Sequence, residues 1–160
     1  MAAQYGLLCF SLGWQNPLQW SHYADRHRGI ALGFDIDEAL LRKVSYQRSR
    51  RLFNELSEVN ESTMRELLFT KYVGWSYEKE VRVYTRLDTQ DAESGLYFAD
   101  FGDQLALREV IAGPMSKVPE SELREAAGST ENVAFLKARL AFRSFRVVAN
   151  RRGFPVKGKG

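Results

Sequence analysis

The sequence has few of the residues on which metalloenzymes and disulfide-bonded proteins depend. Its 160 residues include a single cysteine, Cys9, and two histidines, His22 and His27. One cysteine cannot form an internal disulfide, which fits a reducing compartment, and we interpret Cys9 as a small buried residue. The two histidines are five positions apart and would lie on different faces of a helix. A histidine-rich metal site is therefore not expected.

Long apolar runs and strong catalytic motifs are also missing. No stretch approaches the roughly 18 consecutive apolar residues of a transmembrane helix, so we expect no membrane partner. The first residues lack the basic start of a signal peptide, and we expect a cytoplasmic protein. The sequence contains no Walker-type phosphate loop, GxGxxG, HExxH or paired CxxC motif. These absences remove the enzyme classes that are easiest to recognise.

What is present is the composition of a folded domain, with 44% hydrophobic and 27% charged residues. We predict one domain over residues 1–149 and a basic, disordered tail over residues 150–160. The hydrophobic patterns and turn signals predict strands at 4–12, 29–35, 44–46, 78–86, 96–101, 105–113 and 142–149. They predict helices at 18–27, 38–43, 51–72 with a break near Asn60, 119–127 and 131–142. Without a regular βαβ rhythm, this order predicts an α+β fold with a mixed, largely antiparallel sheet and packed helices.

Basic residues are concentrated in two clusters, although the net charge is only +3. The first cluster comprises Arg42, Lys43, Arg48, Arg50 and Arg51, and the second comprises Arg139, Arg143, Arg146, Arg151, Arg152, Lys157 and Lys159. Either cluster could contact the phosphates of a nucleic acid. The simpler interpretation is that both are solvated surface.

Two glutamates, Glu78 and Glu80, are two positions apart at the start of a predicted strand and would point to the same face. Carboxylates this close repel each other, so at least one pKa should rise unless a cation lies between them. Arg82 lies on the same face and could be that cation. The spacing fits either a catalytic pair or a structural ion-pair ladder of all three residues.

A group of aromatic residues follows helical spacing after Pro17. Trp20 and Tyr23 share one face with His27, whereas His22 lies on another. Periodic apolar residues usually pack in a core, and we expect this of Trp20 and Tyr23. The alternative is that one ring borders a pocket and stacks on a planar ligand.

Several segments together resemble a bacterial family. Five segments carry the resemblance, in this order from Cys9 to Pro114: CFSLG, NPLQWSHYADRHRGIALGFD, KVSY, FTKYVGWSYEKEVRVY and LREVIAGP. Together they resemble the domain-of-unknown-function family 2971. Members of that family carry a preceding region with strands and a helix. The resemblance therefore implies that this chain lacks its N-terminal region and offers the surface left behind to a partner.

The segment EKEV also resembles the glutamate-containing strand of ADP-ribosyltransferases. This second resemblance implies an ADP-ribosyltransferase-like fold and a glycosyl transfer from NAD, with no certain cofactor. It implies that Glu80 stabilises positive charge developing on the nicotinamide ribose and that Glu78 orients the acceptor. Trp20 or Tyr23 would stack on nicotinamide. The implied substrate-binding residues are Ser11, Trp20, His22, Tyr23, Trp75 and Arg82.

Three functions remain open at this point. The chain could be an NAD-using enzyme or the remnant of one, with a small-molecule nucleotide as its ligand. It could be a nucleic-acid-binding module that uses its arginine clusters and exposed aromatic rings. It could be a non-catalytic partner domain in which Glu78, Glu80 and Arg82 are purely structural.

Overall fold

The computed structural model describes residues 5–50, 52, 60–128 and 131–154. The helices are α1 (Pro17–Tyr23), α2 (Glu61–Leu68) and α3 (Glu120–Ala127). The strands are β1 (Tyr5–Ser11), β2 (Ile30–Ile36), β3 (Arg42–Lys43), β4 (Ser45–Gln47), β5 (Thr70–Tyr72), β6 (Glu80–Arg86), β7 (Leu105–Ala112), β8 (Ala134–Leu140) and β9 (Val147–Ala149). Two 3-10 helices span Glu38–Leu40 and Val73–Glu78.

The chain divides into two compact units, each made of two separate stretches. Unit 1 contains Met1–Gly13 and Asp37–Asp100, and unit 2 contains Trp14–Ile36 and Phe101–Gly160. Helices combine with mostly antiparallel strands, which confirms the α+β fold class. A single domain over residues 1–149 stays a prediction.

Unit 1 is built around the central strand β6. Strand β6 pairs antiparallel with β1 on one side and with β3 on the other. Its sequence EVRVYTR alternates, so Glu80 and Arg82 share one face while Val81 points to the other and is buried. The register places Ser11 opposite Glu80 and Cys9 opposite Arg82. Strands β4 and β5 form a separate parallel pair in the same unit.

Unit 2 contains a four-stranded sheet in the order β2-β7-β8-β9. Strands β7 and β8 are parallel, and the other neighbours are antiparallel. One apolar cluster contains Trp20, Ala24, Ile111, Ala138 and Val147, and a second contains Val110, Ala112 and Leu123. Because successive residues of β7 point to opposite faces, Ile111 belongs to one cluster while its two neighbours belong to the other.

A close backbone approach in unit 2 requires glycine at position 113. The Gly113 amide donates to the Gly29 carbonyl at 2.9 Å, and the Met115 amide donates to the His27 carbonyl at 3.0 Å. A Cβ atom at Gly113 would lie 2.3 Å from the carbonyl oxygen of His27. These hydrogen bonds join parts of two segments that carry the family resemblance, GIALGFD and LREVIAGP, and Gly113 therefore has a structural role.

Helix α1 confirms one sequence prediction and corrects another. The Asn16 side chain accepts a hydrogen bond from the Leu18 amide at 2.9 Å, and Pro17 opens the helix as predicted. The helix ends at Tyr23, before the predicted end at His27. Residues Asp25, Arg26 and His27 instead adopt φ of +43°, +52° and +71°. The chain thus leaves the helix through a left-handed turn ahead of Gly29.

The predicted helix over residues 131–142 is wrong, because Ala134–Leu140 forms strand β8. Alanine, leucine, lysine and arginine favour helix locally, but pairing with β7 and β9 overrides this preference.

The predicted helix at 38–43 is a 3-10 helix followed by β3, and the strand predicted at 96–101 is reduced to a bridge at Tyr97. Residues 70–72 form β5 rather than a helical end.

The predicted C-terminal tail is described only as far as Phe154. Residues 150–154 form a turn in which the Gly153 amide donates to the Asn150 carbonyl at 2.9 Å. Residues 155–160, and most of the first helix predicted within 51–72, lie outside the described residues. No helix in the described ranges is long and apolar enough to cross a membrane.

Candidate functional site

Two buried glutamates of unit 1 share one lysine. The side chains of Glu78 and Glu80 are 6% and 7% exposed, so neither carboxylate is well hydrated. Lys71, on β5, donates from Nζ to the Glu78 carboxylate and to Glu80 Oε2, the latter at 3.0 Å. The cation that separates the two negative charges is therefore Lys71.

The second oxygen of Glu80 is also engaged. Arg82 Nε donates to Glu80 Oε1 at 2.7 Å, and its guanidinium donates in addition to the Leu68 carbonyl. Strand pairing places Cys9 opposite Arg82, and an interaction with the Cys9 thiol contributes to the lowered pKa of Glu80. The Glu80 amide donates to the Tyr46 hydroxyl at 2.8 Å. We call Lys71, Glu78, Glu80 and Arg82 the glutamate cluster.

These contacts fix the charge state of the glutamate cluster. Burial alone would raise the pKa of Glu80, but hydrogen bonds from Arg82, Lys71 and Cys9 outweigh it and lower that pKa to about 2. Burial would lower the pKa of Lys71, but its bonds to Glu78 and Glu80 raise it instead. Desolvation and the neighbouring Glu80 raise the pKa of Cys9. At neutral pH the Glu80 carboxylate is ionised and the thiol is protonated.

The prediction that Glu78 lies beside Glu80 through strand alternation is wrong. This residue ends the 3-10 helix Val73–Glu78, and Lys79 then adopts φ +47° before β6 begins at Glu80. The two carboxylates converge because the chain turns at Lys79 and because Lys71 binds both. Alternation does explain Glu80 and Arg82, which are two positions apart on β6 and form the predicted ion pair.

Ser11 and Trp75 lie beside the glutamate cluster in unit 1. Ser11 is exposed, and its hydroxyl donates to the backbone carbonyl of Glu78. Trp75 is 36% exposed, and its ring centroid lies 5.3 Å from Lys71 Nζ. The structure thus brings five of the predicted site residues together: Ser11, Trp75, Glu78, Glu80 and Arg82.

The other predicted site residues belong to unit 2. Trp20 is 2% exposed, and its indole nitrogen donates to the Trp14 carbonyl within the apolar core. Its expected packing role is seen directly. Tyr23 is 65% exposed, contrary to the expectation that it packs in the core, and its ring lies 6.3 Å from that of His22.

Sequence reasoning missed three members of the site. Lys71 and Tyr46 come from segments quoted above, FTKYVGW and KVSY, but nothing in their spacing links them to Glu80. The link arises from the pairing of β4 with β5, which brings Tyr46 beside Lys71 in register. Cys9 is exposed rather than buried, which corrects its interpretation as a core residue.

A second candidate site lies on unit 2, on the hairpin formed by β8, β9 and the loop between them. We call residues 134–149 the arginine hairpin. A hydrogen bond of 2.9 Å from the Ala141 amide to the Arg146 carbonyl closes its loop. Within the described residues, no carboxylate forms an ion pair with Arg139, Arg143 or Arg146. Arg143 and Arg146 are exposed.

The first basic cluster belongs to unit 1. Arg42 donates to the carbonyls of Ala39 and Leu41, which fixes its side chain against its own backbone. Lys43, Arg48 and Arg50 are exposed, and Arg51 lies outside the described residues.

Among the described residues, no group of three histidine, cysteine, aspartate or glutamate side chains is arranged to hold a metal ion.

The described residues define an α+β protein with a buried glutamate cluster in one unit and an arginine hairpin in the other. The family model described as a protein of unknown function (DUF2971) matches residues 19–83. This match confirms the first resemblance over a segment that contains Lys71, Glu78, Glu80 and Arg82. No curated protein matches the chain, and no solved structure matches it.

Proposed function

We propose that this protein is a nucleic-acid-binding module whose arginine hairpin contacts phosphates. The observation that carries the proposal is the charge of the C-terminal segment. Residues 138–160 contain seven lysines and arginines and no aspartate or glutamate. Such a segment attracts a polyanion and releases the counterions bound to it.

The environment of these cations supports the proposal. Arg143 and Arg146 are exposed on the loop of the arginine hairpin, and Arg151 and Arg152 are exposed on the turn after β9. In the part of the chain that the structure describes, none of the four forms an ion pair with a carboxylate. A guanidinium that already pairs with a carboxylate must give up that partner to bind phosphate. Among the described carboxylates, these arginines have no such competitor.

The glutamate cluster also supports a binding function over an enzymatic one. A carboxylate that stabilises charge on a sugar has to reach the sugar. Glu80 is 7% exposed, and both of its oxygens accept hydrogen bonds from cations. This arrangement favours a structural role for the glutamates.

The test is binding of duplex DNA measured by fluorescence anisotropy across a salt series. We expect the affinity to fall steeply with salt, and the variant Arg143→Glu to weaken binding by about tenfold and to lower the salt slope by about 1. Lys117→Glu is the matched control, because Lys117 is exposed in the same unit but lies outside the arginine hairpin. Equal losses in both variants, or an affinity insensitive to salt, would contradict the proposal.

An NAD-using ADP-ribosyltransferase-like enzyme is the second candidate. It is favoured by the register of β1 and β6, which places Ser11 opposite Glu80, and by the ionised state of Glu80. The test is nicotinamide release from NAD by the intact chain and by Glu80→Gln, with folding checked by circular dichroism. Release that disappears in a folded Glu80→Gln variant would support this candidate. Absence of release from the intact chain would remove it.

A further inference from the structure

Two phenylalanines at the tip of the arginine hairpin are almost fully exposed. Phe142 is 91% exposed and Phe145 is 99% exposed. A phenyl ring normally stabilises a fold by burying a large apolar area, and here that area remains in water. Two other phenylalanines of unit 2, Phe135 and Phe154, pack against an apolar cluster. The two tip rings contribute little to folding and suit contact with a ligand.

We infer that Phe142 and Phe145 stack on unpaired bases, so that the arginine hairpin prefers single-stranded over double-stranded nucleic acid. This inference rests on the proposed function and names the class of nucleic acid. Aromatic rings combined with a positively charged surface are the common means of binding single strands without sequence preference. In a duplex the base faces are already stacked on each other and present no surface to a ring.

The arrangement of the tip supports stacking. The four-residue stretch Phe142–Phe145 places Arg143 between the two rings in sequence, and Arg146 follows directly. Rings can therefore meet bases while adjacent guanidinium groups meet the phosphates between them. The Arg139 guanidinium carbon lies 4.7 Å from the Phe142 ring centroid. This cation–π contact places a guanidinium group beside Phe142, whose ring remains 91% exposed and open to a base.

An anionic membrane surface is a less suitable occupant of the same tip. Insertion into a membrane interface needs a continuous apolar face with the charges on the opposite side. Here Arg143 and Ser144 separate the two rings, so burying both rings in the acyl region would carry an arginine with them. The alternation of rings and arginines matches a nucleic-acid strand, which itself alternates bases and phosphates.

The experiment compares three ligands: a single-stranded 20-mer oligonucleotide, its duplex, and heparin, a polyanion without bases. Binding is measured for the intact chain, for the double variant Phe142→Ala/Phe145→Ala, and for Phe98→Ala. Phe98 is the matched control, since it is 70% exposed and belongs to unit 1. The tip substitutions should leave the circular dichroism spectrum unchanged, because both rings lie in water.

We expect the double variant to lose about tenfold or more in affinity for the single strand and less than about twofold for the duplex and heparin. Phe98→Ala should match the intact chain. If the double variant binds the single strand as tightly as the intact chain does, and still binds the duplex and heparin, this inference is overturned but the proposed function stands. Failure to bind any of the three would overturn both. Vesicles of phosphatidylserine and phosphatidylcholine are a further probe: binding to them that is lost in the double variant, with unchanged affinity for the single strand, would overturn this inference in favour of a membrane surface.

Discussion

The glutamate cluster of unit 1 and the arginine hairpin of unit 2 treat charge in opposite ways. In unit 1, the glutamate cluster buries two carboxylates and compensates them with Lys71 and Arg82. In unit 2, the arginine hairpin leaves its cations without a carboxylate among the described residues, and its tip exposes two aromatic rings. Charges that are paired and buried hold elements together, whereas charges that are unpaired and hydrated can meet a ligand.

Lys137, a buried cation of unit 2, differs from both clusters. Lys137 is 8% exposed, and its ammonium group donates to the backbone carbonyls of Gly113 and Ser116, the latter at 2.8 Å. Burial lowers the pKa of Lys137. This lysine ties β8 to the loop after β7 and adds no charge to the surface. The contrast between the units therefore concerns the exposed tip of the hairpin, not its buried base.

Removing the shared cation of unit 1 should have the largest effect on stability. In Lys71→Met the aliphatic stem is kept, but Glu78 and Glu80 are left close together without the ammonium group. Breaking a buried ion pair from one side leaves an uncompensated charge, and we expect the free energy of unfolding to fall by about 3 kcal/mol. Urea denaturation followed by circular dichroism measures this change.

The control for this prediction is Lys43→Met on β3 of the same unit. Lys43 is exposed, so its substitution should change the free energy of unfolding by less than about 0.5 kcal/mol. Similar losses in the two variants would show that the glutamate cluster has no special structural role, and the contrast between the units would then fail.

Acid should weaken the same cluster by a somewhat smaller amount. The pKa of Glu80 is lowered from 4.5 to about 2 in the folded protein. Its ion pairs therefore stabilise the fold fully above about pH 5, and this contribution is lost as the pH falls towards 2. The whole shift corresponds to about 3 kcal/mol at most, and less after solvent screening.

The measurement is the difference in free energy of unfolding between the intact chain and Glu80→Gln as a function of pH. The difference should be greatest near pH 6 and should shrink between pH 5 and pH 2, because protonation makes Glu80 resemble glutamine. A difference that is constant over this range would mean that Glu80 is not held ionised by its neighbours.

Local patterns predicted part of this architecture from the sequence. Asn16 and Pro17 identified the start of α1, and the alternation of EVRVYTR identified β6 with Glu80 and Arg82 on one face. These features depend on neighbouring residues, and the physical signal is contained in a few positions. The presence of α3 after Pro119 was predicted in the same way.

The remaining features depend on contacts between distant segments. β8 has helix-forming residues and becomes a strand because β7 and β9 pair with it. Lys71 is recognised as the partner of both glutamates only after β5 and the 3-10 helix have brought it to them. Exposure of Phe142 and Phe145 could not be read from composition, since the same residues would suit a buried strand.

The glutamate cluster of unit 1 serves the fold, and the arginine hairpin of unit 2 serves binding. The most direct measurement is to determine, for both Glu80→Gln and Arg143→Glu, the free energy of unfolding and the affinity for a single-stranded oligonucleotide. We predict that Glu80→Gln lowers stability and leaves the affinity of the folded fraction unchanged, whereas Arg143→Glu lowers affinity by about tenfold and leaves stability unchanged. Loss of affinity in folded Glu80→Gln, together with unchanged affinity in Arg143→Glu, would contradict this account.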